Sequence, residues 1–281
     1  MAQAQRIVGR SVGDRVILGA VIFLAVLWVV PVAWVALLSF KSNSELMMTT
    51  GSAFRLPYTL KNYSDILATS GVFTWFFNSI VVAGGLTLGT LVLASLAGYG
   101  FARTEFPFKN LVFVLVLLGL AIPEQAVIIA RHQLFTDWKL HNTYFALILP
   151  GLSNAFGVFL MTQYFRSIPR DIDEAAMLDN ASRFKIFWRV LLPLTIPAQA
   201  TLGIFTFLAA WNDYLWPLIS ATKPQMFTLT IGIASTQTNF AQSEGLGFLM
   251  AQAVFAGLPV FVVYLFFQRY IIQAVAGAAI R

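Results

Sequence analysis

Long apolar runs alternate with shorter polar stretches along the whole chain. Six runs are almost free of charged residues: 16–38, 72–101, 110–130, 142–165, 198–219 and 245–268. Each run has at least 21 residues, and about 20 apolar residues in a helix are enough to cross the hydrocarbon core of a bilayer. The first run is longer than the apolar part of a cleaved signal peptide, so we expect a retained helix, with a kink at Pro31. The pattern predicts an all-α integral membrane protein with six transmembrane helices.

The polar stretches divide the chain into parts. The predicted parts are a tail at 1–15, the first transmembrane helix at 16–38, an extracytoplasmic segment with short amphipathic pieces at 39–71, a helical core at 72–270 and a tail at 271–281. Within the core, a charged loop occupies residues 166–197 and a polar external stretch occupies 221–244. The small residues of the second run, such as Gly98, let neighbouring helices approach closely in lipid.

The distribution of Lys and Arg predicts the orientation of the chain in the membrane. Twelve fall on one side of the predicted spans: Arg6, Arg10, Arg15, Arg103, Lys109, Arg166, Arg170, Arg183, Lys185, Arg189, Arg269 and Arg281. Six fall on the other: Lys41, Arg55, Lys61, Arg131, Lys139 and Lys223. Because basic residues are enriched in cytoplasmic loops, we expect both termini and the loop at 166–197 to face the cytoplasm.

Composition supports a membrane protein and excludes several other classes. Hydrophobic residues make up 58% of the chain and charged residues only 11%, against about 25% charged residues in soluble domains. The net charge of +6 follows the membrane topology instead of forming a patch for nucleic acid. The chain has no cysteine, and no glycine-rich phosphate loop of the form GxxxxGK[ST] occurs. If ATP is used, another chain must bind it.

The charged loop carries a recognisable motif between residues 171 and 197. Glu174-Ala175-Ala176 is followed after three residues by Asn180, and Val190 and Leu192-Pro193 follow further on. This arrangement resembles the EAA loop of ABC-importer permeases, in which a Gly stands at the position of Asn180 and an Ile at that of Val190. Asn tolerates a left-handed backbone better than other non-glycine residues, so a turn is expected at Asn180.

Shorter matches extend the resemblance to most of the chain, about residues 16–270. They include SFK at 39–41, WFFNS at 75–79, ASLAGYGFAR at 94–103 and FTFLAAWNDYLWPL at 205–218. In order and spacing they resemble the smaller permease subunit of bacterial carbohydrate importers of the maltose type. The resemblance implies that the last five helices form an ABC type I importer permease core, in the plasma (inner) membrane of a bacterium or archaeon.

The same resemblance implies the partners of the chain. They would be a second permease subunit, two ATP-binding subunits that hold ATP and Mg²⁺, an extracytoplasmic solute-binding protein and the lipid bilayer. The chain itself would be a non-catalytic transport subunit without a cofactor or metal. The loop residues that match the motif or flank it are the candidates for coupling to the ATPase: Glu174, Ala175, Ala176, Asp179, Asn180, Arg183 and Pro193.

Polar residues inside the apolar runs are the candidates for the solute pathway, since such residues usually face a cavity or a partner. They are Asn78, Glu124, Gln125, Asn154, Trp211, Asn212 and Asp213. Pathway lining and structural pairing with a neighbouring helix both fit these residues. Arg131, which stands where carbohydrate permeases tend to be apolar, indicates either an anionic solute or an ordinary external charge.

Alternative functions are less well supported by the residues. A permease of the same family for a sugar phosphate or another polar solute stays open. A secondary transporter would not need the charged loop. An intramembrane enzyme would need a catalytic set such as paired Asp or HExxH, and neither is present. His132 and His141 are far apart in the chain and have few polar companions, so we expect no metal site.

Overall fold

The computed structural model describes residues 12–48, 52–69, 71–236 and 245–279, and this part of the chain is helical, without a β-strand. The α-helices in chain order are α1 (Val12–Leu38), α2 (Asn43–Met48), α3 (Lys61–Ala68), α4 (Val72–Arg103), α5 (Lys109–Leu118), α6 (Ile128–Asp137), α7 (Tyr144–Ile148), α8 (Ala155–Ser167), α9 (Asp171–Leu178), α10 (Arg183–Lys185), α11 (Leu192–Leu194), α12 (Ile196–Asn212), α13 (Leu215–Ser220), α14 (Leu229–Thr236) and α15 (Gly245–Ala279). Short 3₁₀ segments lie at Ser52–Phe54, Gly119–Ala121, Glu124–Val127, Leu149–Leu152 and Pro224–Met226, and a π-helix at Ile186–Leu191 joins α10 to α11.

Three helices are long and apolar enough to cross a membrane without interruption, and three bent pairs bring the number of spans to as many as six. The uninterrupted spans are α1, α4 and α15. The bent pairs are Lys109–Ala121 with Glu124–Asp137 at 93°, Tyr144–Leu152 with Ala155–Ser167 at 48°, and Arg183–Leu194 with Ile196–Asn212 at 74°. The six apolar runs therefore correspond to helical elements as predicted. The 93° and 48° bends fall inside the runs 110–130 and 142–165, whereas the 74° bend lies at residue 195, in the charged loop.

Two helices extend beyond their apolar runs. The first helix begins at Val12, inside the predicted tail, and it continues through Pro31 as one element. The last helix continues from Gly245 to Ala279, well into the tail that the sequence predicts from residue 271. Backbone hydrogen bonding thus extends these helices into more polar sequence.

The described residues form two compact units. The first contains the described residues up to 69 and those from 245 to 257. In it, the buried Asn62 donates from its amide nitrogen to the carbonyl oxygens of Ser39 and Lys41, at 2.8 Å each. The Lys41 ammonium is 1% exposed and donates to the carbonyls of Arg55 and Pro57. These contacts bind the segment after α1 to α3.

The second unit contains residues 71–236 and 258–279 and is built around α4. Helices α8 and α12 pack along α4, and glycines set the distance between the helix axes. A Cβ at Gly98 would lie 2.6 Å from Met161 Cβ and 2.9 Å from the Met161 backbone carbon. A Cβ at Gly157 would meet Ala94 and Leu202 at 3.2 Å. Gly98, one of the small residues predicted to allow close helix contacts, does so, and Gly157 of α8 allows a second close contact that the sequence did not predict.

One hydrophobic cluster lies at the end of this unit that carries the charged loop. It joins α4, α8 and α12 to the segment between α10 and α11, and its fully buried members are Met161, Phe165, Leu191 and Leu202. The loop is therefore packed onto the helical core through its own side chains. Apart from the buried Asp173, the charged residues of the loop are exposed.

Candidate functional site

The motif residues of the loop lie on α9, a two-turn helix with distinct inner and outer faces. Asp173 is buried and Ala176 packs against the hydrophobic cluster, whereas Glu174, Ala175 and Leu178 are exposed. Residues three apart share a helix face, which explains why Asp173 and Ala176 turn inward together. Of the two alanines expected to contact a partner, Ala175 alone lies entirely on the outer face.

Acidic residues stabilise the start of α9. Asp171, Asp173 and Glu174 all lie in its first turn, where negative charge interacts favourably with the unpaired N–H groups of the helix. The helix ends at Leu178, with Asp179 as the cap, and Asn180 then adopts a φ of +57°. The turn predicted at Asn180 is confirmed, because only a left-handed residue reverses the chain so sharply here.

The recurrence of Phe184, Phe187, Trp188 and Leu191 at three- and four-residue steps predicts a second amphipathic α-helix after Asn180. The structure is helical there, but its geometry differs from this prediction. Ser182 caps α10 by accepting a hydrogen bond from Lys185 N at 3.3 Å. The π-helix Ile186–Leu191 follows, and α11 begins with Pro193 near its first turn. Since a π-helix has i→i+5 hydrogen bonds, Ile186 and Leu191 share the inner face and are 1% and 0% exposed. The regular α-helix expected here is therefore wrong for residues 186–191.

The exposed apolar side chains of the loop follow from this geometry. An α-helix would place Phe184, Phe187, Trp188 and Leu191 on one face, but only Phe187 and Leu191 are buried. Phe184 is 72% exposed, Trp188 58% and Leu178 of α9 85%. Three large apolar side chains are therefore exposed on a charged loop, a feature typical of a surface that a protein or lipid covers.

An ion pair that sequence reasoning missed anchors α9 to the core. Arg103 Nε, at the end of α4, lies 3.2 Å from Asp173 Oδ2, and the two side chains are 6% and 12% exposed. Arg103 also donates from Nη2 to the carbonyl of Ile168, the C-cap of α8, at 2.5 Å. Both residues are charged, but they are 70 positions apart in the sequence. No local pattern therefore predicts that they form an ion pair. One arginine thus joins α4, α8 and α9.

Aromatic contacts strengthen the same junction. The ring of Tyr99, one turn before Arg103, lies 5.0 Å from that of Phe187 and 5.9 Å from that of Phe165. Its hydroxyl donates to the carbonyl of Arg183 at 3.4 Å. The side chain of Arg183 stays exposed. Helix α4 therefore contacts both halves of the loop, α9 through Arg103 and the second half through Tyr99.

Asn78, a predicted pathway residue, is fully engaged in structural contacts. It is 1% exposed, and its amide nitrogen donates to the carbonyls of Gln225 and Phe227 at 2.8 and 2.9 Å. Its amide oxygen accepts from the Tyr144 hydroxyl at 2.7 Å. Trp75 Nε1 also donates to the Pro224 carbonyl at 3.0 Å. These hydrogen bonds attach residues 224–227, which belong to the stretch predicted to be external, to the start of α4.

Two further predicted pathway residues lie at the breaks of bent spans. Asn154 is the N-cap of α8, accepting from Gly157 N at 2.7 Å, where the fourth span bends by 48°. Pro123 predicts a break in the third run, because proline interrupts helical hydrogen bonding, and Glu124 directly after it lies at the observed 93° break. Glu124 and Gln125 are both exposed. The two breaks place polar side chains at gaps in otherwise apolar helices.

Trp211 is unavailable as a stacking surface. It is 2% exposed, and its ring stacks on Phe207 at 5.8 Å and meets the edge of Phe76 at the same distance. Asn212 is exposed and donates to the Leu208 carbonyl at 2.8 Å. Asp213, just past the end of α12, is partly exposed. Of the WND stretch, only the last two residues present polar atoms at the surface.

Arg131 lies next to the 93° break, and the sequence identifies it as an unusual charge without predicting its partners. Arg131 donates from Nη1 to Glu124 Oε1 at 2.8 Å, and its guanidinium lies 5.1 Å from the Trp216 ring. The ion pair offsets the charge of the arginine, and the cation–π contact adds a further attraction. Glu124 and Arg131 lie on the same side of the break, within Glu124–Asp137, and a spacing of seven residues places them on one face of that helical segment.

The two histidines come together, contrary to the expectation from their separation in the chain. The rings of His132 and His141 lie 4.7 Å apart, and His141 Nδ1 is 3.3 Å from Ser220 Oγ. The turn between α6 and α7 folds the chain back and creates this contact. Within the described ranges, no group of three or more His, Asp or Glu side chains is arranged to hold a metal ion.

Comparisons with known proteins agree with this architecture. The chain is 33% identical to the arabinooligosaccharides transport system permease protein AraQ of Bacillus subtilis, over 92% of each chain. It is 30% identical to the trehalose/maltose transport system permease protein MalG of Thermococcus litoralis, over 94% of this chain and 95% of that one. It is 31% identical to the sn-glycerol-3-phosphate transport system permease protein UgpE of Yersinia enterocolitica, over 72% of each.

The fold is that of a solved transporter chain. A chain in the crystal structure of a bacterial ABC transporter involved in the import of the acidic polysaccharide alginate superposes with a TM-score of 0.81, at 22% sequence identity, covering 93% of this chain and 99% of that one. The family described as the binding-protein-dependent transport system inner membrane component matches residues 90–277. A match over this length, together with multiple apolar spans, makes the chain a multi-pass membrane protein. The chain belongs to the binding-protein-dependent transport system inner membrane component family.

Proposed function

We propose that the chain is a permease subunit of an ATP-binding-cassette importer and forms part of the path by which a carbohydrate crosses the membrane. The observation that carries the proposal is the similarity, over more than nine tenths of the chain, to permeases named for arabinooligosaccharides and for trehalose and maltose. The exposed motif helix α9 gives such a subunit a place to receive force from another protein.

The loop supports coupling to an ATPase in a partner chain. Glu174, Ala175 and Leu178 form an outer face of mixed charged and apolar character on α9. A carboxylate at a helix start and a small neighbouring residue suit insertion into a groove of a partner that offers a basic side chain. Asp179, Asn180, Arg183 and Pro193 shape the turn and the second helical part instead. ATP and Mg²⁺ would be held by that partner, and the chain itself would carry no catalytic residue.

The rigid attachment of α9 suits a lever. Arg103 and Tyr99 connect the loop to α4, and Phe187 and Leu191 connect it to the buried cluster. A displacement of α9 by a closing ATPase dimer would therefore move α4 and α8 with it. A second permease subunit, two ATPase subunits and a solute-binding protein would complete the importer, with both termini and α9 in the cytoplasm.

A sugar phosphate is the second candidate solute, and the relative named for sn-glycerol-3-phosphate favours it. The structure gives less support to an anionic solute. Arg131, the basic residue that would attract a phosphate, is already paired with Glu124 and covered by Trp216. We therefore place a neutral carbohydrate first.

The coupling role is tested by reversing the charge of Glu174. The chain is purified from its native membrane in mild detergent, and the proteins recovered with it are identified by mass spectrometry. We expect Glu174→Arg to reduce ATPase recovery at least tenfold, because opposing like charges across an interface costs several kcal/mol. Asp137→Arg, the same change at an exposed position of α6, should leave recovery unchanged.

The same experiment also tests the proposed importer function. If the wild-type chain is recovered without an ATPase and still moves solute when ATP is depleted, the importer function is wrong. If Glu174→Arg and Asp137→Arg retain the ATPase equally, the importer function stands but α9 is not the coupling element. Recovery of a solute-binding protein with the complex would then supply the means to screen carbohydrates directly.

A further inference from the structure

A basic cleft lies beside the loop end of α4 and plays no part in the coupling surface. Its cavity of about 620 Å³ is bounded by the end of α4, the turn into α5 and the end of α8. The polar lining side chains are Glu105, Lys109, Asn110, Arg166 and Arg170. Three are basic and one is acidic, so the cleft carries a net charge of two positive units.

The positive charge comes from two arginines without an acidic partner. Lys109 is satisfied by Glu105 at 3.1 Å and by the Thr104 carbonyl at 2.7 Å. Asp173 of α9 is engaged with Arg103. Arg166 and Arg170 are exposed and form no ion pair with any residue that the structure describes. The guanidinium of Arg166 instead lies 5.3 Å from the Phe113 ring.

The surroundings of the cleft are those of a membrane surface. Directly beyond Lys109 and Asn110, α5 is apolar to its end, and its side chains Leu111, Val114, Leu115 and Leu118 are more than half exposed. Phe108, on the rim of the cleft, is 76% exposed. Charged side chains therefore meet an uncovered apolar helix within about one turn, which is the level of lipid head groups.

We propose that this cleft binds the phosphate of an anionic phospholipid, with Arg166 and Arg170 as its ligands. Basic pockets between transmembrane helices on the cytoplasmic side suit such head groups, and planar guanidinium groups match phosphate oxygens in pairs. No side chain caps the start of α5, so its first N–H groups add to the positive potential. The acyl chains lie along the exposed side of α5. The proposed function enters only through the orientation, which names the leaflet as the cytoplasmic one.

The test measures lipid affinity of the full-length chain in detergent by native mass spectrometry. Phosphatidylglycerol and phosphatidylcholine with the same acyl chains are titrated separately. We expect the wild-type chain to bind phosphatidylglycerol more tightly, and the double variant Arg166→Gln, Arg170→Gln to lose about 30-fold in affinity for it. That magnitude corresponds to about fivefold for each basic residue near an anionic surface.

Matched variants separate the site from general charge effects. Arg15→Gln removes a basic residue at an exposed position of α1 on the same predicted side of the membrane, and it should lower the affinity by at most about fivefold, against about 30-fold for the double variant. Arg166→Lys with Arg170→Lys keeps the charge and should retain most of the preference for phosphatidylglycerol. Equal binding of the two lipids, or an equal loss in Arg15→Gln, would overturn the proposal.

Two competing occupants give different outcomes. If glycerol phosphate without acyl chains displaces phosphatidylglycerol at equal concentration, the cleft binds a soluble phosphate and the lipid assignment is wrong. If the double variant keeps its lipid affinity but no longer co-purifies with the ATPase, the arginines contact that protein instead. The titration does not require an ATPase, so its failure is distinguishable from failure of the importer function.

Discussion

At the scale of single residues, a glycine decides how closely α4 and α8 approach. Gly98→Ala should lower the stability by about 1–3 kcal/mol, the usual cost of overpacking, since the new Cβ meets Met161 at 2.6 Å. Gly100→Ala, two residues later in the same helix, has nothing within 4 Å of its Cβ and should be neutral or slightly stabilising, because Ala favours a helix over Gly. Thermal unfolding in detergent measures both. Equal melting temperatures would contradict the close contact.

The conformation at some positions could be predicted from the residue type and its neighbours in the sequence. Asn180 was expected in a turn because its residue type tolerates a positive φ, and the structure confirms that conformation. Glu124 was expected near a helix break because Pro123 precedes it, and the break is present. Asn78 and Trp211 were placed in the pathway by polarity or ring chemistry, but their neighbours enclose them. Those neighbours come from distant parts of the chain, which no local pattern describes.

At the scale of elements, the π-helix explains why the periodicity of the loop was misleading. A 3.6-residue repeat places Trp188 beside Leu191, and the wider turns instead bury Ile186 with Leu191 and expose Trp188. The apolar residues are correctly located in the sequence, but their assignment to a face depends on the helix type. Packing of the loop against α4 and α8 selects that type, so the outer surface could not be predicted from spacing alone.

The attachment of α9 depends on the ion pair between Arg103 and Asp173. Arg103→Gln should cost about 3 kcal/mol, because it leaves the Asp173 carboxylate mostly buried without its partner. Adding Asp173→Asn should restore part of the loss, giving a coupling energy of about 1–3 kcal/mol in a double-mutant cycle. Denaturant unfolding measures the cycle, and hydrogen exchange of α9 should rise in Arg103→Gln alone.

A second ion pair in the same unit serves as the control for that cycle. Glu105 pairs with Lys109 at 3.1 Å, but the glutamate is 82% exposed. Exposed pairs contribute about 0–1 kcal/mol, so the cycle of Glu105→Gln and Lys109→Gln should show much weaker coupling. If both cycles give the same coupling energy, burial does not make the Arg103 pair special and α9 is held mainly by apolar packing.

At the scale of the whole molecule, the number of spans was predictable and their shapes were not. Long uncharged runs identify a span by length alone, and all six runs are helical in the structure. The bends of 93° and 48° need irregular backbone in the apolar runs, and proteins allow that only where other parts of the fold or a partner satisfy the freed groups. The number and order of the spans could therefore be predicted from the sequence, whereas the angles of their bends could not.

The orientation can be tested without altering the native chain beforehand, because it contains no cysteine. Lys223→Cys and Lys185→Cys each introduce one thiol at an exposed position, in the external stretch and in the loop. In intact cells, a membrane-impermeant maleimide should label Lys223→Cys and leave Lys185→Cys unlabelled until the membrane is opened. The reverse pattern would invert the topology that the basic residues predict.

Helix α4 has firm attachments at both of its ends. Near its start, Trp75, Asn78 and Ser79 form four hydrogen bonds to the backbone of residues 224–229, and at its end Arg103 binds α8 and α9. The 25 residues between Asn78 and Arg103 span about 38 Å at 1.5 Å per residue. A force on residues 224–229 would therefore either displace α4 together with the charged loop or break those four hydrogen bonds. In the proposed importer, the solute-binding protein and the ATPase would therefore act on opposite ends of one helix, α4.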